Sequence, residues 1–164
     1  MYITGIETTK VTSAQEFALG TIGMNQDGKV WKYVEIKNTT ATVAGVAGDC
    51  VSYAVDAGYN ISRVVSDVTD AAAAPVGAGL LGGTIVGTLA VAEYGWIQIG
   101  GRAIANAAIG GTPADGDQLM ASTTDKALTR QLYSGTTPNI IAIGASVAIG
   151  TDVSAKHVAC QFAY

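Results

Sequence analysis

Residues 71–92 read AAAAPVGAGLLGGTIVGTLAVA, without a charge, and lead straight into Glu93-Tyr94-Gly95-Trp96-Ile97-Gln98-Ile99-Gly100-Gly101. An uncharged run of 22 residues is long enough to cross a bilayer as a helix. The alternative is Gly-interrupted β-structure covered by protein, and the choice decides what kind of molecule this is. Five of the 22 residues are Gly (77, 79, 82, 83 and 87), one is Pro75, and most others are Ala or Thr. Gly disfavours a helix interior by up to about 1 kcal/mol relative to Ala. No Lys or Arg flanks the run closely enough to orient a span. Thr84-Ile85-Val86 and Gly95–Ile99 are β-rich pieces bounded by Gly. The stretch is therefore expected as strands buried between strands or subunits, not as a membrane helix.

The rest of the composition agrees. A chain of 164 residues holds one domain with one core. Charged residues make up 13% of it, about half the usual share, and the mean hydropathy is +0.33. From Ala71 to Ala114 the charges are Glu93 and Arg102. Low charge without a membrane helix points to surface covered by further copies or a partner. Leu80, Leu81, Ile85, Tyr94 and Trp96 are the residues expected at such an oligomer contact. The net charge of −4 and pI near 4.7 leave no basic stripe for phosphates, so no nucleic-acid partner is expected. The first residues lack the basic start and apolar core of a cleaved signal. Cys50 and Cys160 could pair or stay as buried thiols.

Outward from the uncharged run, Asn25-Gln26-Asp27-Gly28 separates Leu19–Met24 from Lys29–Ile36, an Asp-Gly hairpin signal. In the second strand Val30, Val34 and Ile36 alternate with Trp31, Tyr33 and Glu35, so both faces need cover. Residues 1–16 are Thr/Ser-rich and weakly patterned, and read as an arm or a loosely packed first strand. The domain proper is 17–164. Val11–Leu19 and Ala103–Ile109 have room for a turn of helix, and no window sustains a helical stripe.

A faint repeat runs through the chain. Residues 47–52 (AGDCVS) resemble 115–120 (DGDQLM), Ile61-Ser62-Arg63 resembles Leu128-Thr129-Arg130, and Val76–Leu80 resembles Ile143–Val147, all offset by 67 or 68 positions. The expected fold is all-β with little helix, a compact β-barrel or β-sandwich built from two quasi-repeated units.

No chemistry assembles. Gly77-Ala-Gly79-Leu-Leu-Gly82 fits a dinucleotide fingerprint in letters, but Gly82, Gly83 and Gly87 break the helix it requires. His157 is the single histidine, in an apparent strand over 156–162, with no nucleophile motif beside it. Asp115-Gly-Asp117 and the pair Asp67 and Asp70 lack the full ligand spacing of a calcium loop. No catalytic residue, cofactor or metal site is expected. Tyr94, Trp96 and Gln98 share a strand face that could meet a sugar, a neighbouring subunit or the chain's own core.

In order, Leu19-Gly-Thr-Ile-Gly, Asp27-Gly-Lys-Val-Trp-Lys-Tyr-Val34, Ala44-Gly-Val-Ala-Gly-Asp49, Tyr94-Gly-Trp-Ile-Gln-Ile-Gly-Gly101, Gly116-Asp117 and Ile143-Gly-Ala145 resemble small structural proteins of tailed bacteriophages. The pattern looks like capsid decoration (cement) and head-fibre-type proteins, and covers residues 17–162. Its most specific part is Tyr-Gly-Trp-Ile-Gln-x-Gly-Gly. The resemblance implies a β-rich homotrimer on the capsid exterior, made in the host cytoplasm and bound to the major capsid protein. It also implies an N-terminal segment touching the shell, here carried by Tyr2, Ile3 and Ile6. A head-fibre or receptor- and glycan-binding module on the virion surface, using Trp96 and Tyr94, is the alternative that the same resemblance allows.

Overall fold

The computed structural model describes residues 2–36, 47–53, 63–65, 81–85, 92–107, 119–121, 128–130 and 154–161. Among these the chain is all strand and turn. The strands are β1 (Tyr2–Thr4), β2 (Ile22–Met24), β3 (Val30–Ile36), β4 (Cys50–Tyr53), β5 (Arg63–Val65), β6 (Leu81–Ile85), β7 (Tyr94–Ala107), β8 (Leu119–Ala121), β9 (Leu128–Arg130) and β10 (Ser154–Gln161). They form one mixed sheet in the order β1-β2-β3-β5-β4-β6-β7-β9-β8, with β10 on β7 and a further pairing of β3 with β7. The latter joins two strands that β5, β4 and β6 also connect.

The uncharged run contributes β6, a central strand paired with β4 on one side and β7 on the other. Among the described residues no helix is long and apolar enough to cross a membrane.

The Asp-Gly hairpin forms as read. Met24 pairs with Val30, Gly28 N–H donates to the Asn25 carbonyl at 3.1 Å, and Gly28 takes φ +77. That is a turn closed by a left-handed residue, which glycine adopts without a Cβ clash. At the tip, Lys29 Nζ donates to the Asp27 carboxylate at 2.9 Å and holds that carboxyl below its ordinary range.

Strand β7 is the spine. Its first half pairs with β3 on one edge and β6 on the other, and its second half pairs with β10 from Gly100↔Gln161 to Ala107↔Ser154. Where the halves meet, the β3 register slips between Val30 and Trp31, and Gly101 turns to φ +81. Gln98 spans the bend, its amide Nε2 donating to the carbonyls of Gly100 and Arg102, each at 2.9 Å. The expected helical turn at Ala103–Ile109 is thus corrected: residues 103–107 continue β7, because β10 supplies a ladder for them. Over Val11–Leu19 no helix forms; Thr12 instead bridges to Tyr94.

Two of the three repeat matches touch described strands, and the third, 76–80 with 143–147, lies outside the described residues. β4 pairs antiparallel with β5, and β5 lies parallel to the end of β3, giving the order β3-β5-β4. β8 pairs antiparallel with β9, and β9 lies parallel to the end of β7, giving β7-β9-β8. Each arrangement is a long strand followed by a two-strand return.

Both faces of β3 are covered, as its two apolar faces require. Val34 and Ile36 lie with Ile97 and Ile99 in the buried set on one side, and Trp31 and Tyr33 pack with Trp96 on the other.

Candidate functional site

The side chains most concentrated in one place are aromatic. Trp31 and Tyr33 on β3 stand opposite Gln98 and Trp96 on β7, and Tyr94 lies one pair further along, opposite Glu35. Phe17, Tyr33 and Trp96 form a triangle of rings with centroids 5.2–5.4 Å apart, each pair tilted or edge-on. Tyr94 stacks on Tyr33 at 6.4 Å and 16°. Such contacts add about 0.5–1.5 kcal/mol per pair beyond area burial. The Trp31 indole N–H is buried and makes no hydrogen bond among the described residues.

Residues 2–17 cross this face. Ile3, Ile6 and Leu19 pack against Trp31, Tyr33 and Trp96. Glu16 N–H donates to the Tyr33 hydroxyl at 3.1 Å, and Lys10 Nζ donates to the Glu16 carboxylate at 2.7 Å, which holds the Lys10 ammonium above its ordinary pKa. Between this crossing segment and the rings lies a cleft of about 360 Å³, floored by Tyr33 and Trp96 and walled by Ile3, Ile6 and Phe17. Glu7, Lys10 and Glu16 bring its polar groups.

The sequence-selected residues fall as follows. Ile3 and Ile6 are half-buried against the aromatic cluster, and Tyr2 opens β1. Trp96 is only 3% exposed within a single chain, and Phe17 covers it at 5.4 Å. It is a core residue of the single chain. Tyr94 stays half-exposed beside it. Leu81 and Ile85 begin and end β6, and Leu80 lies outside the described residues, as do Asp67, Asp70, Asp115 and Asp117. His157 stands opposite Ile104 in the β10–β7 ladder. The described residues contain no group of three His, Cys, Asp or Glu side chains close enough to hold a metal.

Among the described residues, three large apolar side chains that sequence patterning did not single out are exposed: Phe17, Met24 and Ile104, the last at 51%. Ile104 alternates with the buried Ala103 and Ala105 along β7. Strand alternation there was the available signal, hidden by the neighbouring Gly pair.

A part-buried polar pair fastens the first Gly-Asp turn to the spine. Asn106 Nδ2 donates to the Asp49 carboxylate at 2.8 Å, Asn106 N–H donates to the Gly48 carbonyl at 2.7 Å, and Gly48 sits at φ +92. Cys50, fully buried, directs its thiol toward the Asn106 carbonyl at 4.0 Å.

No protein-family model, curated protein or solved structure matches the chain.

Proposed function

We propose that the chain is a capsid decoration protein of a tailed bacteriophage, binding the outside of the major capsid shell as a homo-oligomer and stabilising it without catalysis. The observation that carries the reading is the stretch Tyr94–Gly101, the most specific part of the resemblance. It supplies the first half of β7, where β3 and β6 pair on its two edges. The residues that resemble decoration proteins are therefore also those that organise this domain. The low charge fits a protein that works at protein surfaces.

In the same proposal, β3, β5, β4, β6 and β7 close through the β3–β7 pairing into a small barrel, and β7 to β10 repeat the unit begun by β3 to β6. Closure removes exposed strand edges, which suits a module that must not polymerise through them. The uncharged stretch around Leu80, Leu81 and Ile85 makes the contact between copies, a trimer by family resemblance. Residues 1–16, with Tyr2, Ile3 and Ile6, face the shell.

The mechanism is mass action. Each bound copy bridges neighbouring shell subunits and adds about 2.7 kcal/mol per site when its free concentration is a hundredfold above Kd. Packaged DNA must then break those contacts before the shell can expand. Imaging shells mixed with the purified protein tests this: density on the outer surface at regular lattice positions is expected, and shells without added density would refute it.

A further inference from the structure

Residues 2–17 lie over the aromatic face on few fastenings. β1 pairs with β2 over three residues, Tyr2↔Ile22 to Thr4↔Met24. Thr12 and Tyr94 exchange two backbone hydrogen bonds, at 3.0 and 2.9 Å. Glu16 N–H reaches the Tyr33 hydroxyl at 3.1 Å. Ile3, Ile6 and Phe17 supply the apolar contact, and a cleft of about 360 Å³ lies between the segment and the rings of Tyr33 and Trp96.

Two details make the segment a unit of its own. The Lys10–Glu16 ion pair joins two positions inside it, so it stiffens the segment without tying it to the sheet. Its root is fixed: Gly20 N–H donates to the Tyr33 carbonyl at 2.8 Å, Tyr33 N–H donates to the Thr21 carbonyl at 2.9 Å, and the Thr21 hydroxyl caps Ala18 at 2.6 Å. The β3–β7 pairing beneath uses no residue of the segment itself or of its root at 18–21.

We infer that residues 2–17 are a latch that lifts from the sheet as one piece about the Ala18–Thr21 root. Lifting frees Ile3 and Ile6 together and uncovers Tyr33 and Trp96. What the lifted latch meets rests on the capsid reading; that it lifts does not. Closed, it hides the apolar side chains of the shell-facing segment, so the unbound protein does not associate through that segment.

Two measurements on the full chain test this. Native-state hydrogen exchange reads the lifting alone. Local openings have lower free energy than global unfolding, so the Thr12 and Tyr94 amides should exchange at least about tenfold faster than those of Tyr33 and Asn106. Ile97→Val, on the opposite face, should speed the Tyr33 and Asn106 amides roughly two- to tenfold and leave Thr12 and Tyr94 unchanged. Equal acceleration of both sets would overturn independent lifting.

The second measurement locks the latch. Ile6 Cγ2 lies 3.2 Å from where a Cβ on residue 23 would stand, within reach of a disulfide. The I6C/G23C double variant also removes the Ile6 Cδ1 atom that such a Cβ would strike. Oxidised, it should lose binding to undecorated shells, and reduction should restore it. Oxidised protein that binds as well as wild type would overturn the latch's role. Wild type that fails to bind would overturn the capsid reading and leave the exchange result to judge the lifting.

Discussion

Tyr33 and Trp96 stand directly opposite one another in the β3–β7 ladder, and their rings meet at 5.2 Å with planes at 61°. β3 and β7 thus meet through two large aromatic side chains. Phe17 closes the third side of the triangle from the N-terminal segment.

Trp96→Ala should destabilise the folded chain by about 3–5 kcal/mol, the range for removing a buried aromatic. Tyr94→Ala, at a half-exposed site, should do less. Urea denaturation of each variant reads the difference. A Trp96 whose role lay only between copies would leave the unfolding free energy of the single chain almost unchanged.

The bend in β7 is set by backbone conformation and by space. Gly101 combines φ +81 with a Cβ site 3.1 Å from the Gly28 carbonyl oxygen and 3.2 Å from Lys29 Cα. Gly28 has φ +77 but open space around its Cβ site. Gly28→Ala should therefore lose about 1–2 kcal/mol from the left-handed conformation alone. Gly101→Ala should lose more, because backbone must also move. Thermal unfolding of the two variants side by side checks the order.

Much of this was legible in advance. Asp27-Gly28 announced the hairpin because a left-handed turn residue between β-rich runs has few other uses. The offset of 67 to 68 residues touches β4 and β8 at 50–52 and 119–120, and β5 and β9 at Arg63 and 128–130, while its third match lies outside the described residues. Strand β7 was legible only to Ile99, because Gly100-Gly101 reads locally as a turn, whereas here it is a bend held by Gln98 and by pairing with a strand some 55 residues on. A core position was the leading reading of Trp96, and it is 3% exposed. Alternation places it on a face but does not say that residues 2–17 cover that face.

Lys32 is 2% exposed, and burial lowers its pKa from 10.5 to about 8. Because the folded-state value lies below the unfolded one, the unfolded chain binds the extra proton between these two pH values. Stability contributed by this group should therefore rise as pH climbs from about 8 to about 10.5, by up to about 3 kcal/mol. Denaturation across that range for wild type and Lys32→Met isolates it. The variant should lack the rise, and identical pH profiles would refute the assignment.

Asp49 and Asn106 offer a test of the clamp between the first Gly-Asp turn and β7. Asn106→Ala removes the donor 2.8 Å from a buried carboxylate, and should destabilise the chain by about 1–3 kcal/mol. Denaturant titration of this variant beside Asn106→Asp separates loss of the donor from loss of the side chain. The Asp variant should fare no better than Ala, since a second carboxylate repels the first.

Contact between copies through the uncharged stretch predicts that native mass, by light scattering, is a multiple of the 16.6 kDa chain. Ile85→Asp or Leu80→Asp should leave a chain that no longer oligomerises or folds, with no effect on any membrane. A wild-type chain that stays monomeric at high concentration would remove this contact.

The most direct measurement is to mix purified protein with undecorated shells of a tailed bacteriophage, separate bound from free by sedimentation, and heat the complexes. Saturable binding, with shells that rupture at a higher temperature than bare ones, is the predicted result. Protein that stays in the supernatant at every concentration, or binds without raising the rupture temperature, would contradict a cementing role.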